Sequence, residues 1–545
     1  MPADDTSPRR EKFDYVVVGA GSAGCVVAAR LSEDPACRVL LLEAGGEDDY
    51  LWIHVPVGYF KTMHNPRTDW RYKTEPQSEL GGRQLDWPRG KVLGGSSSIN
   101  GLLYVRGQPR DYDHWRQLGN AGWSWDDVLP YFLRSEDQER GESTWHGVGG
   151  PLAVSNMRIR RDVCDAFIRG AAELGLPTRE DFNGEEQEGA GYFQLTARDG
   201  RRCSTAVGYL RPARKRRNLV VRTHAHTERL LLVDGRVIGV RYQGRDGAAV
   251  EVEATREVVL SAGAIGSPQI LQISGIGPPD VLGRAGVRCQ HALPGVGRNL
   301  QDHLQVRSVY RCTRPTLNDE VNNPLRKALI GLEYIVRRTG PMSMGASQVA
   351  AFARTRPELE TPDIQFHFQP LSADKPGEGL HRFSAFTVSV CQLRPESRGH
   401  IDIRSPDPHQ HPAIEPRYLT APTDRATVVA GMRLTRRLCA TDAMRPFVAE
   451  EILPGSDVEG DDALLDAARR LSQTIYHPVG TCRMGEDPMA VVDARLRLRG
   501  LGGLRVVDAS IMPTITSGNT NAPVIMIAEK AAELIRADAR AGHAA

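Results

Sequence analysis

Runs of apolar residues at the start of the chain predict a strand, a helix and a second strand, in that order. Residues 14–18 are mostly β-branched valines, which is typical of a strand covered on both faces. Residues 38–43 contain a run of one valine and three leucines and predict a second strand. Between them, residues 24–32 place small and apolar side chains on one side of a predicted helix. This order predicts the beginning of an α/β sheet.

The pattern changes in the middle of the chain and returns to its first form at the end. Between about 311 and 470, alternating strands such as 363–368 and 385–390 are followed by separate helices, which indicates an α+β unit. The strand at 504–508 and the helix at 521–540 again resemble the start. We therefore predict an α/β chain, α+β overall, with a Rossmann-type domain and a second, antiparallel-sheet domain.

The Rossmann-type domain is predicted to be discontinuous, because strands of its kind recur in three parts of the chain. The predicted bounds are 12–155, 220–310 and 471–545 for this domain, 156–219 and 311–470 for the second domain, and 1–11 for a polar N-terminus expected to be disordered.

Composition and charge exclude several classes of protein. The formal net charge is +2, and the basic run 211–217 has no interleaved aromatic residues, so we predict no nucleic-acid partner. Nine scattered cysteines are neither a disulfide framework nor a zinc site, and no metal is predicted. No apolar run is long enough to span a membrane. We expect a cytoplasmic protein, with peripheral association at the inner membrane left open.

The first strand leads into glycines with the spacing of a dinucleotide-binding turn. Gly19 permits the tight turn, Gly21 lets backbone N–H groups approach a pyrophosphate, and Gly24 lets the helix pack closely on the strand. Glu43 ends the second strand, where a carboxylate binds the ribose hydroxyls and disfavours a 2′-phosphate. These residues predict an adenine dinucleotide site that does not use NADP.

A second segment rich in small residues runs from Gly90 to Gly101. Two glycines, three serines and an asparagine offer backbone donors and hydroxyls to a polar ring or a phosphate. A helix start capped by serine explains the same residues, and their spacing does not choose between the two.

Six segments together resemble the glucose–methanol–choline oxidoreductases, over about residues 14–534. Within that family the chain looks most like bacterial FAD-dependent aliphatic alcohol dehydrogenases, and next like choline dehydrogenases. The segments are Gly19–Gly24, Gly90–Asn100, Ser261–Leu271 with Ser274–Gly277, Val296–His303, His477–Gly485, and Val507–Pro513 with Gly518–Pro523.

The resemblance implies that the cofactor is FAD, not NAD, and it assigns residues to the parts of that cofactor. Those implied for the ADP half are Gly19, Gly21, Gly24 and Glu43, with Ser22, Ala23, Ala44 and, at the adenine, Thr227. Those implied around the flavin ring are Val92, Gly95, Asn100, Gly101 and Leu102, with Trp70 and Arg89. Those implied for the pyrophosphate and the polar edge of the flavin are Asp508, Ala509, Asn519 and Thr520.

The resemblance also implies a catalytic pair. His477 corresponds to the active-site histidine of the family and Asn521 to its partner. An imidazole can accept the hydroxyl proton of an alcohol near neutral pH, and an amide can hold the alcohol oxygen. We interpret His303 as structural. His367 lies on a strand that could line the substrate pocket.

Two positions bear on the cofactor linkage and the substrate. Some choline-oxidising relatives bond FAD covalently through a histidine, and here that position holds Ile99, so we expect non-covalent FAD. Choline-type relatives tend to carry a carboxylate where the alignment places Gln348, and a neutral residue there disfavours choline. We interpret Cys391 and Cys482 as packing residues.

The predicted reaction is FAD-dependent oxidation of a primary alcohol to an aldehyde, with electrons passed to a quinone, a dye or oxygen. The alternatives are an oxidase of aryl or furanic alcohols, a choline dehydrogenase and, in another class, a flavin-dependent lyase such as a hydroxynitrile lyase or a fatty-acid photodecarboxylase. A flavin-binding protein without catalysis has no use for the catalytic pair. The predicted binding partners are thus an alcohol and an electron acceptor.

Overall fold

The computed structural model describes residues 10–374 and 379–543. Most strands belong to two large mixed or antiparallel sheets. In chain order their strands are β1 Glu11–Val18, β2 Val39–Leu42, β3 Gly189–Tyr192, β4 Leu219–Arg222, β5 His226–Val233, β6 Arg236–Gln243, β7 Ala249–Leu260, β8 Leu304–Cys312, β9 Val349–Ala353, β10 Ile364–Gln369, β11 Ala385–Gln392, β12 Val448–Leu453, β13 Gln473–Thr474 and β14 Leu504–Val506.

The first sheet has the order β4-β2-β1-β7-β6-β5, with β14 also paired to β7. The pairs among β4, β2, β1, β7 and β14 are parallel, and β5, β6 and β7 form an antiparallel meander. The second sheet has the order β12-β8-β11-β10-β9-β3, with β13 paired to β8, and its pairs are antiparallel. The predicted fold class is confirmed.

Helices of eight or more residues cover these sheets. They are α1 Gly24–Leu31, α2 Pro109–Gln117, α3 Trp125–Ser135, α4 Asp162–Glu173, α5 Gly263–Ile273, α6 Pro324–Arg337, α7 Pro422–Cys439, α8 Asp461–Leu471 and α9 Asn521–His543. Helices α1 and α9 pack in one apolar core with β1, β2, β7 and β14. Helices α4 and α7 pack in a second core with β9, β10 and β11.

The second sheet takes strands from outside the segments predicted for its domain. The predicted boundary at 310/311 falls inside β8, and β13 pairs with β8 although it lies in the segment 471–545. Of the N-terminus predicted to be disordered, residues 1–9 lie outside the described residues, while Glu11 begins β1. The predicted boundary at 310/311 does not divide the two sheets, because β8 continues as one strand of the second sheet on both sides of it.

Candidate active site

A deep cavity is lined by residues of both sheets. It receives most of the predicted site residues: Gly19, Gly21, Ser22, Ala23, Glu43, Ala44, Trp70, Arg89, Gly95, Asn100, Gly101, Leu102, Thr227, His367, His477, Asp508, Ala509, Asn519, Thr520 and Asn521. Gly24, Val92 and Gln348 do not line it. The carboxyl ends of β1 and β2 open into one part of the cavity, and a face of the second sheet forms the opposite part.

Glu43 lies at the end of β2, where its carboxylate is held by the backbone. Its Oε2 accepts from the Ala20 N–H at 2.9 Å and its Oε1 accepts from the Gly45 N–H at 2.8 Å. Burial raises the pKa of Glu43 to about 7, although these two hydrogen bonds oppose the rise. A fixed, buried carboxylate of this kind is suited to accept hydroxyl protons from a ribose.

The turn between β1 and α1 is built for a close backbone approach. A Cβ at Gly24 would lie 1.8 Å from the Gly19 carbonyl oxygen, and one at Gly95 would lie 2.6 Å from the Gly21 Cα. A Cβ at Gly21 would meet no atom within 4 Å and would enter the open cavity. The absence of these side chains leaves a cradle in front of the N-terminus of α1, which fits a pyrophosphate. Gly24 therefore acts behind the site, not at its surface.

The loop before Leu102 is held from behind by Arg202. The guanidinium of Arg202 donates to the carbonyl oxygens of Ile53, Ser97 and Asn100 and to Asn100 Oδ1, at 2.6 to 3.1 Å. Asn100 is thus fixed by hydrogen bonds, and its Oδ1 also accepts from the Leu102 N–H at 3.1 Å. Val92 was predicted beside the flavin, but it packs away from the cavity.

The two asparagines near the start of α9 contact different parts of the cavity. Asn519 Nδ2 lies 3.2 Å from His477 Nε2, whereas Asn521 Oδ1 accepts from the Ser22 hydroxyl at 3.0 Å. Asn519, and not the predicted Asn521, therefore contacts the His477 ring in this structure, and the catalytic role of either residue stays a prediction. The helix begins at Asn521, so its side chain turns to the glycine-rich turn, while Asn519 precedes the helix and faces the histidine.

His477 is held in place by the segment Gln301–His303. Asp302 Oδ1 accepts from the His477 backbone N–H at 2.7 Å, and its Oδ2 accepts from the Thr474 hydroxyl at 2.5 Å. Gln301 Nε2 donates to the Pro513 carbonyl at 3.1 Å, which ties down the chain that leads to Asn519. Burial raises the pKa of Asp302 to about 6 against these hydrogen bonds.

The histidine pair His303 and His477 fixes which ring nitrogen of His477 is free. His303 Nε2 lies 3.0 Å from the Leu393 carbonyl oxygen, which can only accept, so His303 Nε2 carries the proton. The neutral His303 then accepts at Nδ1, which lies 3.0 Å from His477 Nδ1. His477 must donate from Nδ1, and its unprotonated Nε2 accepts from the Asn519 amide at 3.2 Å.

Both rings are neutral near pH 7. Burial lowers the pKa of His303 to about 4. Burial also holds the pKa of His477 well below its usual range, with smaller contributions from His303, His367 and Arg89. A neutral His477 with an unprotonated Nε2 can accept a proton there, in place of the hydrogen bond from the Asn519 amide. His303, interpreted above as structural, contacts the ring of His477. The signal for this contact in the sequence was its position directly after Asp302 in the segment Val296–His303.

The wall opposite the glycine turn comes from the second sheet. His367 of β10 lines the cavity, and its buried Nε2 has no hydrogen-bond partner among the described residues. Gln348 was predicted for this wall, but it lies outside it, because its Oε1 accepts from Cys164 Sγ at 3.0 Å on the far side. Cys391 and Cys482 are buried free thiols, and burial raises the pKa of both.

Two kinds of site are not found in the described part of the chain. No group of three or more histidine, cysteine, aspartate or glutamate side chains is placed to hold a metal ion. No described helix combines the length and the apolar character needed to cross a bilayer.

Comparison with known proteins agrees with this geometry. Two models of the GMC oxidoreductase family match residues 13–305 and 395–528. Human mitochondrial choline dehydrogenase is 44% identical over 539 residues, covering 97% of this chain and 91% of that protein. The "Alcohol dehydrogenase [acceptor]" of Pseudomonas putida is 41% identical over 526 residues, covering 96% and 95%.

Solved structures show the same fold over nearly the whole chain. Pyridoxine 4-oxidase from Mesorbium loti superposes with a TM-score of 0.87 at 37% identity, covering 96% of this chain and 98% of that one. A variant of formate oxidase from Aspergillus oryzae gives a TM-score of 0.90 at 27% identity, covering 98% of this chain and 99% of that one. The chain therefore belongs to the glucose–methanol–choline (GMC) oxidoreductases and is an FAD-dependent enzyme that acts on CH–OH donors.

Proposed function

We propose that the enzyme oxidises a primary alcohol to the aldehyde, with His477 as the base and Asn519 as the residue that positions the alcohol. The observation that carries this proposal is the chain of hydrogen bonds from the Leu393 carbonyl through His303 to His477. It leaves the Nε2 lone pair of a neutral imidazole beside an amide, as abstraction of a hydroxyl proton requires.

FAD would be held without a covalent bond. Glu43 would accept from the ribose hydroxyls, and the turn at Gly21 with the N-terminus of α1 would hold the pyrophosphate. Ile99, at the position where some relatives carry a linking histidine, lines the cavity with a side chain that cannot form that bond. Bound FAD would supply the hydride acceptor. Asn519 and His477 would orient the hydroxyl and take up its proton.

Choline dehydrogenase is the second candidate, because relatives with that name are 42–44% identical. We favour a substrate without a quaternary ammonium group. Gln348 does not support this preference, because it does not line the cavity. The wall of the second sheet does support it, because its described lining residues include Arg307 and no carboxylate. A trimethylammonium group would lie beside a cation there.

We propose that electrons leave to a quinone or a similar acceptor, with oxygen as the alternative. Both outcomes have named relatives, an alcohol dehydrogenase [acceptor] and pyridoxine 4-oxidase. The purified holoenzyme should be mixed without air with straight-chain alcohols, benzyl alcohol and choline, while flavin absorbance is followed. Bleaching by alcohols with slow recovery in air supports a dehydrogenase, whereas fast recovery indicates an oxidase. No bleaching by any alcohol would favour the lyase class.

The variant H477A tests the base. We expect it to retain FAD and to slow flavin reduction by at least about a hundredfold, the lower end of what a general base contributes. His114, which is exposed on helix α2, supplies the control variant H114A. Normal flavin reduction in H477A would remove His477 from the proposal.

A further inference from the structure

The wall of the cavity formed by the second sheet carries a row of polar side chains across three strands. Arg307 of β8 faces Ser389 of β11, and Ser389 faces His367 of β10. All three residues line the cavity. Neighbouring strands lie about 4.8 Å apart, so the backbone at Arg307 is roughly 10 Å from that at His367. The row runs from the imidazole of His367 through Ser389 to the guanidinium of Arg307.

Arg307 is buried, yet its donors are poorly satisfied. Its side chain donates one hydrogen bond among the described residues, from Nη1 to the Asp374 carbonyl oxygen at 3.4 Å. It forms no ion pair in that part of the chain. Arg202 is equally buried but donates four hydrogen bonds to oxygen atoms at 2.6 to 3.1 Å. A buried guanidinium normally has such partners, so Arg307 lacks an anion.

A second unpaired group lies beside it. Tyr59 also lines the cavity, and its buried hydroxyl has no hydrogen-bond partner among the described residues. Arg307 acts electrostatically on Tyr59, which places the two groups near each other. A guanidinium and a phenol hydroxyl together offer the donors that a carboxylate accepts, and arginine binds carboxylates through two parallel bonds.

We propose that Arg307 and Tyr59 bind a carboxylate of the substrate, so that the enzyme oxidises hydroxy acids in preference to neutral alcohols or choline. This inference rests on the proposed alcohol oxidation and names its substrate class. The carboxylate stays unchanged at Arg307. FAD, when bound, would supply the acceptor for the hydride of the hydroxyl-bearing carbon. His477 would accept the hydroxyl proton, and the product would be an aldehyde acid.

Matched pairs of substrates test this subsite. Holoenzyme should be mixed without air with 1-butanol against 4-hydroxybutanoate, and with 1-hexanol against 6-hydroxyhexanoate. We expect the hydroxy acid to reduce the flavin at least tenfold more efficiently in at least one pair. R307M should lower the efficiency with the hydroxy acids at least tenfold and so abolish that preference. R311M, an exposed arginine on the same strand, is the control variant. Glycerol 1-phosphate is tested in the same way. More efficient flavin reduction by it than by the hydroxy acids would show that the subsite prefers a phosphate to a carboxylate.

Binding of hexanoate, which cannot be oxidised, gives a readout that does not need turnover. It should perturb the flavin spectrum of the wild type, and at least tenfold less tightly that of R307M. Equal use of acids and neutral alcohols, or an equal loss of both in R307M, would overturn the inference. If no alcohol reduces the flavin but hexanoate still binds through Arg307, the proposed oxidation fails and the anion site stands. E378Q controls for the carboxylate in the segment 375–378, which lies outside the described residues.

A different observation concerns the surface. Five of the ten large hydrophobic side chains that are exposed among the described residues lie on helix α6: Leu325, Leu329, Leu332, Ile335 and Val336, at 56–71% exposure. Their spacing of three and four residues puts them on one face of the helix. Tyr334 on the other face is buried and donates to the Gly200 carbonyl at 2.9 Å. The helix is thus anchored with its apolar face outward.

Two basic residues lie beside this face. Arg326 near the start of α6 and Arg337 at its end are exposed on one side of it, and neither forms an ion pair in the described part of the chain. Lys327 is also exposed, but it lies on the side of Tyr334. The acidic residue Glu333 accepts instead from the Thr339 hydroxyl. An apolar face bordered by free cations is typical of a helix that lies in the surface of an anionic membrane.

We infer that α6 docks the enzyme onto a bilayer that contains anionic lipids. Holoenzyme should cosediment with vesicles of phosphatidylcholine and phosphatidylglycerol and be released by high salt. The variant L325S/L329S/L332S/I335S should reduce binding at least tenfold, with unchanged reduction of a soluble dye.

The variant L118S/V148S/V233S/M489S changes exposed apolar residues elsewhere and should bind as the wild type does. Equal vesicle binding by both variants would refute the inference. So would a dimer in solution that only the α6 variant disrupts, because a second copy would then cover this face.

Discussion

The two walls of the cavity are built in different ways. The wall formed by the first sheet presents mainly backbone, from the glycines at the end of β1 and the N-terminus of α1. Its carboxylate, Glu43, is itself held by two backbone N–H groups. The wall formed by the second sheet presents side chains, with Arg307, Ser389 and His367 in one row across three strands. The first suits a ligand of constant shape, and the second can change its ligand through single substitutions.

The difference lies in what each wall tolerates. Between Gly19 and Gly24 a single methyl group would lie 1.8 Å from a carbonyl oxygen, so the backbone itself sets the residue type. Arg307 lines the cavity and donates one hydrogen bond among the described residues, so a substitution there changes the charge of the wall and breaks no close backbone contact. The dinucleotide half is therefore expected to fail abruptly on mutation, and the substrate half to change specificity.

The variant G24A makes the largest break in this comparison. The added Cβ would collide with the Gly19 carbonyl, so we expect a loss of at least about 3 kcal/mol in the free energy of unfolding and little bound FAD. Thermal unfolding and flavin content measure both effects. G283A, where a Cβ meets no atom within 4 Å, should remain a stable flavoprotein. A stable, FAD-loaded G24A would show that the turn is not constrained by packing.

Local motifs explain why the first wall could be predicted from sequence and the second could not. Gly19, Gly21 and Glu43 lie on one strand–turn–helix–strand unit, where spacing along the chain fixes position in space. Arg307 and His367 are 60 residues apart in the chain and meet only through the register of β8, β11 and β10. Gln348 lay at the expected place in an alignment, but its side chain bonds to Cys164 instead.

His303 lies between the His477 ring and the Leu393 carbonyl, and its replacement should have the next largest effect. H303L removes the acceptor of the His477 Nδ1–H, so the free Nε2 lone pair is no longer enforced, and we expect flavin reduction to slow by roughly tenfold or more. H303Q offers a carbonyl acceptor and an amide donor in place of the ring nitrogens and should recover much of the rate. FAD content and thermal stability show whether each variant is folded. A purely structural role predicts equal loss in both.

The paired variants N519A and N521A sharpen the comparison two residues apart. N519A removes the amide beside His477 and should slow flavin reduction by about tenfold with FAD binding unchanged. N521A removes the acceptor of the Ser22 hydroxyl and should weaken FAD by about tenfold, with a normal reduction rate once loaded. Stopped-flow reduction and FAD titration separate the two effects. The opposite pattern would restore Asn521 as the partner of His477.

Glu43 provides the smallest and most specific effect, a pH dependence of FAD binding. In the FAD-free protein its pKa is raised to about 7, so its ionised fraction falls about tenfold between pH 8 and pH 6. FAD needs the ionised form, because that form accepts from the ribose hydroxyls at both oxygens. FAD should therefore bind about tenfold more weakly at pH 6 than at pH 8.

E43Q should bind FAD more weakly at pH 8 and lose this dependence, as titration of the FAD-free protein at several pH values would measure. A matched change with pH in E43Q would assign the effect to another group. Burial raises the pKa of the Tyr59 phenol, and a guanidinium keeps its proton, so Tyr59 stays neutral and Arg307 stays charged between pH 6 and pH 8. Hexanoate binding should therefore not follow this dependence, and the two walls differ in their proton chemistry as well as in their construction.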